Sequence, residues 1–163
     1  GLFKIRSISS NTTSALLGSR EMGKVNMNRR HQREISQQYA DKFRTKIVSL
    51  DDLIGSLSGG NQQKVVISRA LSTRPKVVIL DEPTRGIDAA ARSDVYGIIR
   101  QLKEEGVAVL MVSSDIEEVV ELADRAITIF QGRINGEFSH DEISQDALTS
   151  ASFGIGHERV VAK

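Results

Sequence analysis

Val77-Val78-Ile79-Leu80-Asp81-Glu82-Pro83-Thr84 opens with four branched or aliphatic residues and ends in two adjacent carboxylates followed by a proline. A run this short and this rich in β-branched residues reads as a strand rather than a helix. Two further runs share the pattern, Val107-Ala108-Val109-Leu110-Met111-Val112 and Ala126-Ile127-Thr128-Ile129-Phe130. Their continuously apolar character predicts strands covered on both faces. Helical patterns fill the gaps, at Ala89 to Glu105 and Asp115 to Ala123. Strand alternating with helix predicts an α/β fold whose parallel sheet is covered by helices. Beyond it, Gln131-Gly132 turns the chain into a short strand at Arg133–Phe138, and Ser139-His140-Asp141-Glu142 reads as a capping box opening a last helix.

Upstream the period changes. From Asn28 to Lys46 the residues Ile35, Tyr39 and Phe43 recur every fourth position among Arg, Gln, Glu and Lys, the spacing of an amphipathic helix. Residues 58–72 predict a second helix, capped by Ser58, with apolar positions at Val65, Ile67, Ala70 and Leu71 and a stop at Arg74-Pro75. The expected organisation is a helical segment over residues 1–56, a helix leading into an α/β core over 57–138, and a C-terminal helix and tail over 139–163.

Composition removes several function classes. The 163 residues carry 22 Lys+Arg and 21 Asp+Glu, and 39% are hydrophobic, which fits a folded domain rather than a disordered one. The longest purely apolar run, Val107 to Val112, falls far short of the ~20 residues that span a bilayer. With no cysteine there is neither a disulfide framework nor a thiolate metal site. The charge is graded: residues 1–50 have ten basic against three acidic side chains, residues 51–110 eight against eight, and residues 111–163 four against ten. Arg29, Arg30 and Arg33 could meet phosphates, but at 4% aromatic content and without a stacking motif the solvated-helix reading is preferred over nucleic-acid binding.

Three stretches carry candidate chemistry. Gly18-Ser19-Arg20-Glu21-Met22-Gly23-Lys24-Val25 nearly spells a phosphate loop, but Val25 stands where a hydroxyl would ligate Mg²⁺, so an exposed connection is favoured. Leu57-Ser58-Gly59-Gly60-Asn61-Gln62-Gln63-Lys64-Val65 puts a hydroxyl and two glycines at a helix start, where free N–H groups and the macrodipole attract anions. Taken alone, the same residues also suit an ordinary cap and turn. Asp81 and Glu82 end a strand, where ligands bind in open α/β sheets. There Asp81 can hold Mg²⁺ while Glu82 polarises an attacking water, although two acids can equally well just close a strand.

Together these motifs resemble the nucleotide-binding domain of ABC transporters. Leu57–Leu71, LSGGNQQKVVISRAL, is similar to the signature motif, Val77–Thr84 to the Walker B strand, and Arg85-Gly86-Ile87-Asp88 to the D-loop. Val112-Ser113-Ser114-Asp115 falls at the switch loop, and Leu122-Ala123-Asp124-Arg125 follows it. The form SGGNQQKV resembles the ATPases of bacterial importers for ribose, galactosides, arabinose, xylose or autoinducer-2, over roughly residues 30–155. The resemblance implies a P-loop NTPase-like fold, a partial parallel sheet preceded by a helical subdomain, with the part bearing the phosphate loop missing from the chain.

It further implies ATP and Mg²⁺ as cofactors, shared between two ATPase domains paired head to tail. Ser58, Gly59, Gly60 and Gln62 would reach the γ-phosphate of ATP held by the opposite domain. Asp81 would hold Mg²⁺, Glu82 would be the general base, and Asp88 would lie on the dimer seam. Ser114 replaces the family's switch histidine, and a hydroxyl carries neither its charge nor its reach. That substitution resembles the second of two fused ATPase copies. Partners would be the second ATPase domain, a membrane permease and, indirectly, an extracytoplasmic sugar-binding protein, with no nucleic acid. The location would be peripheral, at the cytoplasmic face of the inner membrane. Three other readings remain: a non-catalytic module that donates the signature and couples to the permease, with the chain alone inactive for want of a Walker A loop; a soluble ABC-type ATPase acting on nucleic acid; and a generic α/β binding domain whose motifs are coincidental.

With part of the sheet missing, the strands should leave apolar faces uncovered and the chain should be marginally stable or self-associating.

Overall fold

The computed structural model of the chain describes residues 1–17 and 28–155. Two compact units divide at Val112/Ser113.

The first unit begins with a short helix, α1 (Ile8–Thr12), which the sequence pattern did not predict because no apolar periodicity announces it. Ser7 caps it by accepting from the Ser10 N–H at 3.2 Å. Fully buried Asn11 pins the preceding chain, accepting from Phe3 N–H at 2.8 Å and donating to Phe3 O at 3.1 Å and Ser7 O at 3.0 Å. Next comes α2 (Arg29–Lys42), capped by the Asn28 side chain on the His31 N–H. Its buried face differs from the expected one. Gln32, Ser36 and Ala40 are buried with Phe43, whereas Ile35 and Tyr39 are only partly covered. The neighbour explains this: α1 and its C-cap offer polar groups, and Gln32 Nε2 donates to Thr13 Oγ1 at 3.0 Å while Ser36 Oγ donates to Ser9 O at 3.4 Å. Tyr39 uses its hydroxyl instead, donating to the Leu71 carbonyl at 2.7 Å, and burial pushes its pKa up.

α3 (Gly59–Leu71) and α4 (Ala89–Glu104) flank β1 (Val77–Asp81), and β2 (Ala108–Val112) follows. The two strands pair in parallel, Val77 with Ala108 through Asp81 with Val112, as the alternation predicted. Burial corrects the expectation of strands covered on both faces. Val78 and Leu80 are buried, whereas Val77, Ile79, Leu110 and Val112 are each more than half exposed. Ser7 bridges to Leu53, and a cluster of Ile8, Ile54 and Val65 ties the leading segment to α3.

In the second unit α5 (Ile116–Leu122) precedes β3 (Arg125–Phe130) and β4 (Arg133–Ser139). β3 does not prolong a parallel array; it pairs antiparallel with β4 across the Gln131-Gly132 turn, both residues having positive φ. Ser139 N–H and Oγ both donate to the Glu142 carboxylate, at 2.9 and 2.7 Å, but this box closes a single 3₁₀ turn at His140–Glu142. The helix proper, α6 (Gln145–Ser152), starts two residues later under a Ser144 cap. Ala126, Phe138, Leu148 and Ala151 form this unit's core. No helix among the described residues is long and apolar enough to cross a membrane.

Candidate functional site

The start of α3 carries backbone donors of the kind that can meet an anion. Its first intrahelical bond runs from Gln62 N–H to Ser58 O at 2.9 Å, so the N–H groups of Gly59, Gly60 and Asn61 lie ahead of the helical ladder. Ser58 occupies the N-cap position, yet its side chain makes no capping bond. Instead its Oγ accepts from Asn61 Nδ2 at 3.0 Å, and Asn61 Oδ1 accepts from the Lys46 N–H at 3.0 Å. The expected cap is thus replaced by a side-chain loop that fixes Ser58 while leaving the leading N–H groups uncapped. Ser58 and Gly59 are exposed. Gln62 is engaged locally, its Nε2 donating to Leu57 O at 2.8 Å.

The two glycines are not equivalent. A methyl built at Gly59 would fit, meeting Ile87 Cγ2 at 3.7 Å and Gly86 O at 3.8 Å. Gly60 is buried, and a methyl built there would overlap the Ala91 side chain. One glycine therefore faces outward and the other lets α3 seat against α4.

Asp88 caps α4, its Oδ1 accepting from the Ala91 N–H at 2.9 Å. Gly86 and Ile87 of the preceding loop and Ala91 of α4 lie beside the first turn of α3. Lys64, one turn along α3 from Gly60, is 4% exposed and forms an ion pair with Asp94 at 2.7 Å; it also donates to Arg44 O at 3.3 Å. Sequence reasoning assigned it no role, since a lysine among Gln residues looks solvated; the signal was its spacing of four from Gly60.

Asp81 ends β1 with its residue exposed, opposite Val112. Glu82 sits in the left-handed region, φ +48°, and its N–H donates to Val112 O at 2.8 Å. Such a conformation costs a non-glycine residue about 1–2 kcal/mol and turns the Glu82 side chain out of the strand's alternation. Buried Pro83 and Thr84 follow it. No cluster of three or more His, Cys, Asp or Glu able to hold a metal occurs among the described residues. Asp81 alone still suits Mg²⁺, which commonly takes one or two carboxylates and completes its shell with phosphate and water.

In the second unit, Ser113 Oγ donates to Glu118 Oε2 at 2.6 Å and accepts from the Asp115 N–H at 3.0 Å. Asp115 caps α5 through the Glu117 and Glu118 N–H groups. Ser114 is exposed within this turn. Glu118 is 1% exposed, and its Oε1 has no hydrogen-bond partner; it was missed because a second glutamate in Glu117-Glu118 reads as surface. The near phosphate loop at Gly18–Val25 lies outside the described residues.

A family model described as ABC transporter matches residues 3–85. The match therefore begins well before residue 30 and includes the leading segment, where little identity was recognised. The xylose import ATP-binding protein XylG of Moorella thermoacetica is 46% identical over 116 residues, which are 71% of this chain and 23% of that protein. The chain thus spans about a quarter of the length of this curated relative. Among solved structures, the MJ1267 ATP-binding cassette of an ABC transporter matches 91% of the chain at TM-score 0.75 and 23% identity, the match covering 63% of its own length. The dimeric, post-hydrolysis MJ0796 cassette bound to ADP and Pi matches 86% at TM-score 0.70 and 22% identity, over 59% of its length. These likenesses show the α/β fold of ABC ATPases.

Proposed function

The chain belongs to the ABC transporter family, and from that premise we propose that it is part of the ATP-hydrolysing subunit of a sugar importer, contributing the signature end of one ATP site and the strand-end carboxylates of another. The observation that carries this reading is the start of α3, where three N–H groups precede the helical ladder beside an exposed Ser58 hydroxyl that does not cap them. That donor set fits the terminal phosphate of an ATP molecule presented by a second ATPase domain. Gln62 supports the edge of the donor end through Leu57 O.

At the other end, Asp81 would hold Mg²⁺, which supplies charge neutralisation at the β- and γ-phosphates. Glu82, turned out of the strand by its backbone, accepts the proton of the attacking water as the bond to the γ-phosphorus forms and the bond to the leaving ADP oxygen breaks. Asp88, at the cap of α4, lies on the seam between the two domains. Ser114, at the switch position that the resemblance implies, offers a hydroxyl but no cationic donor, and the strand-end carboxylates are proposed as the less active end. Residues 1–56, with α1 and α2, form the part that contacts the permease, and the subunit works at the cytoplasmic face of the membrane, served by an extracytoplasmic sugar-binding protein.

The test is a titration with a fluorescent ATP analogue, with and without Mg²⁺, of this chain and of the longer protein that carries it. The reading expects saturable binding by the longer protein and none by the chain alone, ATP being gripped by a loop outside the signature and strand-end motifs. Saturable binding by the chain would refute that division and direct attention to Gly18–Val25. Co-purification of the longer protein with nucleic acid in place of a permease would refute the transport role.

A further inference from the structure

We propose that Ala91 is a positioning residue, which registers the phosphate-facing start of α3 against the Asp88 cap of α4 so that the two move as one piece. The proposal rests on the reading of Ser58–Gly60 as γ-phosphate donors. Ala91 belongs to both structures at once. Its N–H donates to Asp88 Oδ1 at 2.9 Å, closing the α4 cap. Its methyl occupies the notch left by Gly60, so closely that no side chain at residue 60 could coexist with it, while its Cα lies 3.5 Å from where a Gly60 methyl would stand. One residue before Gly60, a methyl built at Gly59 would meet Ile87 and Gly86 of the same loop only at ordinary contact distance. One turn further along, the Lys64–Asp94 pair repeats the α3–α4 contact. The seam is thus tied at two successive levels, and the tighter lies directly behind the donors.

Small residues meeting this closely leave no freedom for one helix to slide along the other. Donors must sit within a fraction of an ångström of the developing charge, and a displacement of about 1 Å can cost on the order of 100-fold in rate. Ala91 therefore acts through Gly60. The consequence runs against the common assumption about glycines in phosphate sites: Gly60 lacks a side chain because Ala91 fills its place, while its backbone N–H stays among the proposed donors.

The experiment is a reciprocal exchange. Gly60→Ala, Ala91→Gly and the double variant are made in this chain, where thermal melting reads the contact, and in the longer protein, where kcat and the KM for ATP are measured. Gly60→Ala is expected to lower Tm by about 5 °C or more through overpacking. In the longer protein it should lower kcat about tenfold or more while KM stays within about twofold, because ATP is gripped elsewhere. Adding Ala91→Gly leaves a 3.5 Å contact in place of an overlap and should return both Tm and kcat to the level of Ala91→Gly alone.

A double variant that regains Tm but not kcat would overturn the proposal, since the Gly60 hydrogen would then be needed by the ligand itself. Gly60→Ala with unchanged Tm and kcat would also overturn it. A longer protein with no ATPase activity would refute the proposed function and this role with it, whereas the packing contact would stand or fall on the melting data.

Discussion

Exchanging Ile79 and Leu110 for Lys and Glu should convert a self-associating chain into a more dispersed one without unfolding it. The two residues are paired in register across β1 and β2, and they are 67% and 56% exposed, between Val77 at 58% and Val112 at 51%. Fully burying an aliphatic side chain is worth about 1.5–3 kcal/mol. Covering the exposed portions of Ile79 and Leu110 in an associated state is therefore worth about 2–3.5 kcal/mol together, a factor of about 30–300 in a dissociation constant. Opposite charges across the register avoid the penalty of like charges placed face to face. Sedimentation velocity over a concentration series should show the midpoint of association moving up by that factor, with Tm within about 3 °C of the parent. Val78→Lys, at 3% exposure on the opposite face, is the contrasting control and should unfold the chain. An unchanged association midpoint would refute the reasoning, as would a fall in Tm comparable to that of the Val78 control, because either result would mean that this sheet face is not the uncovered surface it is taken to be.

In the longer protein, Ser58→Trp should reduce ATP hydrolysis more than Glu82→Gln does if, as proposed, Ser114 at the switch position leaves the strand-end carboxylates the less active end; the reverse order in steady-state phosphate release would sink that proposal. Gly136→Ala should destabilise the second unit by about 1–3 kcal/mol, since the added methyl would stand 2.7 Å from Phe138 Cε2 and 2.9 Å from Thr128 Oγ1, and Phe138 is buried; a denaturant midpoint equal to the parent's would count against the packing described. The hydrogen bond from Lys42 Nζ to Glu105, at 2.8 Å, holds the Glu105 carboxyl below its ordinary 4.5. A depressed folded-state value means that the pair's contribution is present above pH 4.5 and is lost as pH falls through the lowered value; Lys42→Met should therefore remove a small increment of stability at pH 7 and none at the acid end, and an equal loss at both would refute the linkage.

The strands and helices of residues 58–139 were readable because each is locally consistent: β-branched runs, a capping Asp before α4, a Pro after α3. Three features were not readable, and each for a physical reason. α1 is held by the polar wiring of Asn11 and Ser7, which leaves no apolar stripe to detect. The buried face of α2 is displaced from Ile35–Tyr39 to Gln32–Ser36–Ala40 because its neighbour presents hydroxyls and carbonyls, and hydrophobic periodicity cannot reveal a polar interface. The partner of β3 is decided by the tight Gln131-Gly132 turn, a local closure that prevailed over the alternation of strand and helix upstream. Within the candidate site the residue types were found but the division of labour was not. Nothing in the letters Ser-Gly-Gly distinguishes a glycine that opens space from one that fills a notch, and Ala91, the residue that makes the difference, lies 31 positions beyond Gly60.

The two ends of the site make unlike demands on the fold, and this bears on which of them a short stretch of chain can hold ready. The donor end draws on backbone N–H groups and one hydroxyl, all fixed by bonds within reach of α3: Asn61 to Ser58, Lys46 to Asn61, Gln62 to Leu57. The strand-end carboxylates instead depend on strain. Glu82 is kept at positive φ by the tie to Val112 O and by the buried Pro83-Thr84 that follows, so its placement relies on β2 being in register with β1. β1 and β2 are also the strands whose outer face is bare. Loosening of that pair would release Glu82 first and leave the α3 donors in place, since those are anchored to α4 through Ala91 and Lys64 rather than through the sheet. On the proposed reading the two ends serve different ATP sites, so each must keep its geometry before the partner domain arrives, and their mechanical independence suits that requirement.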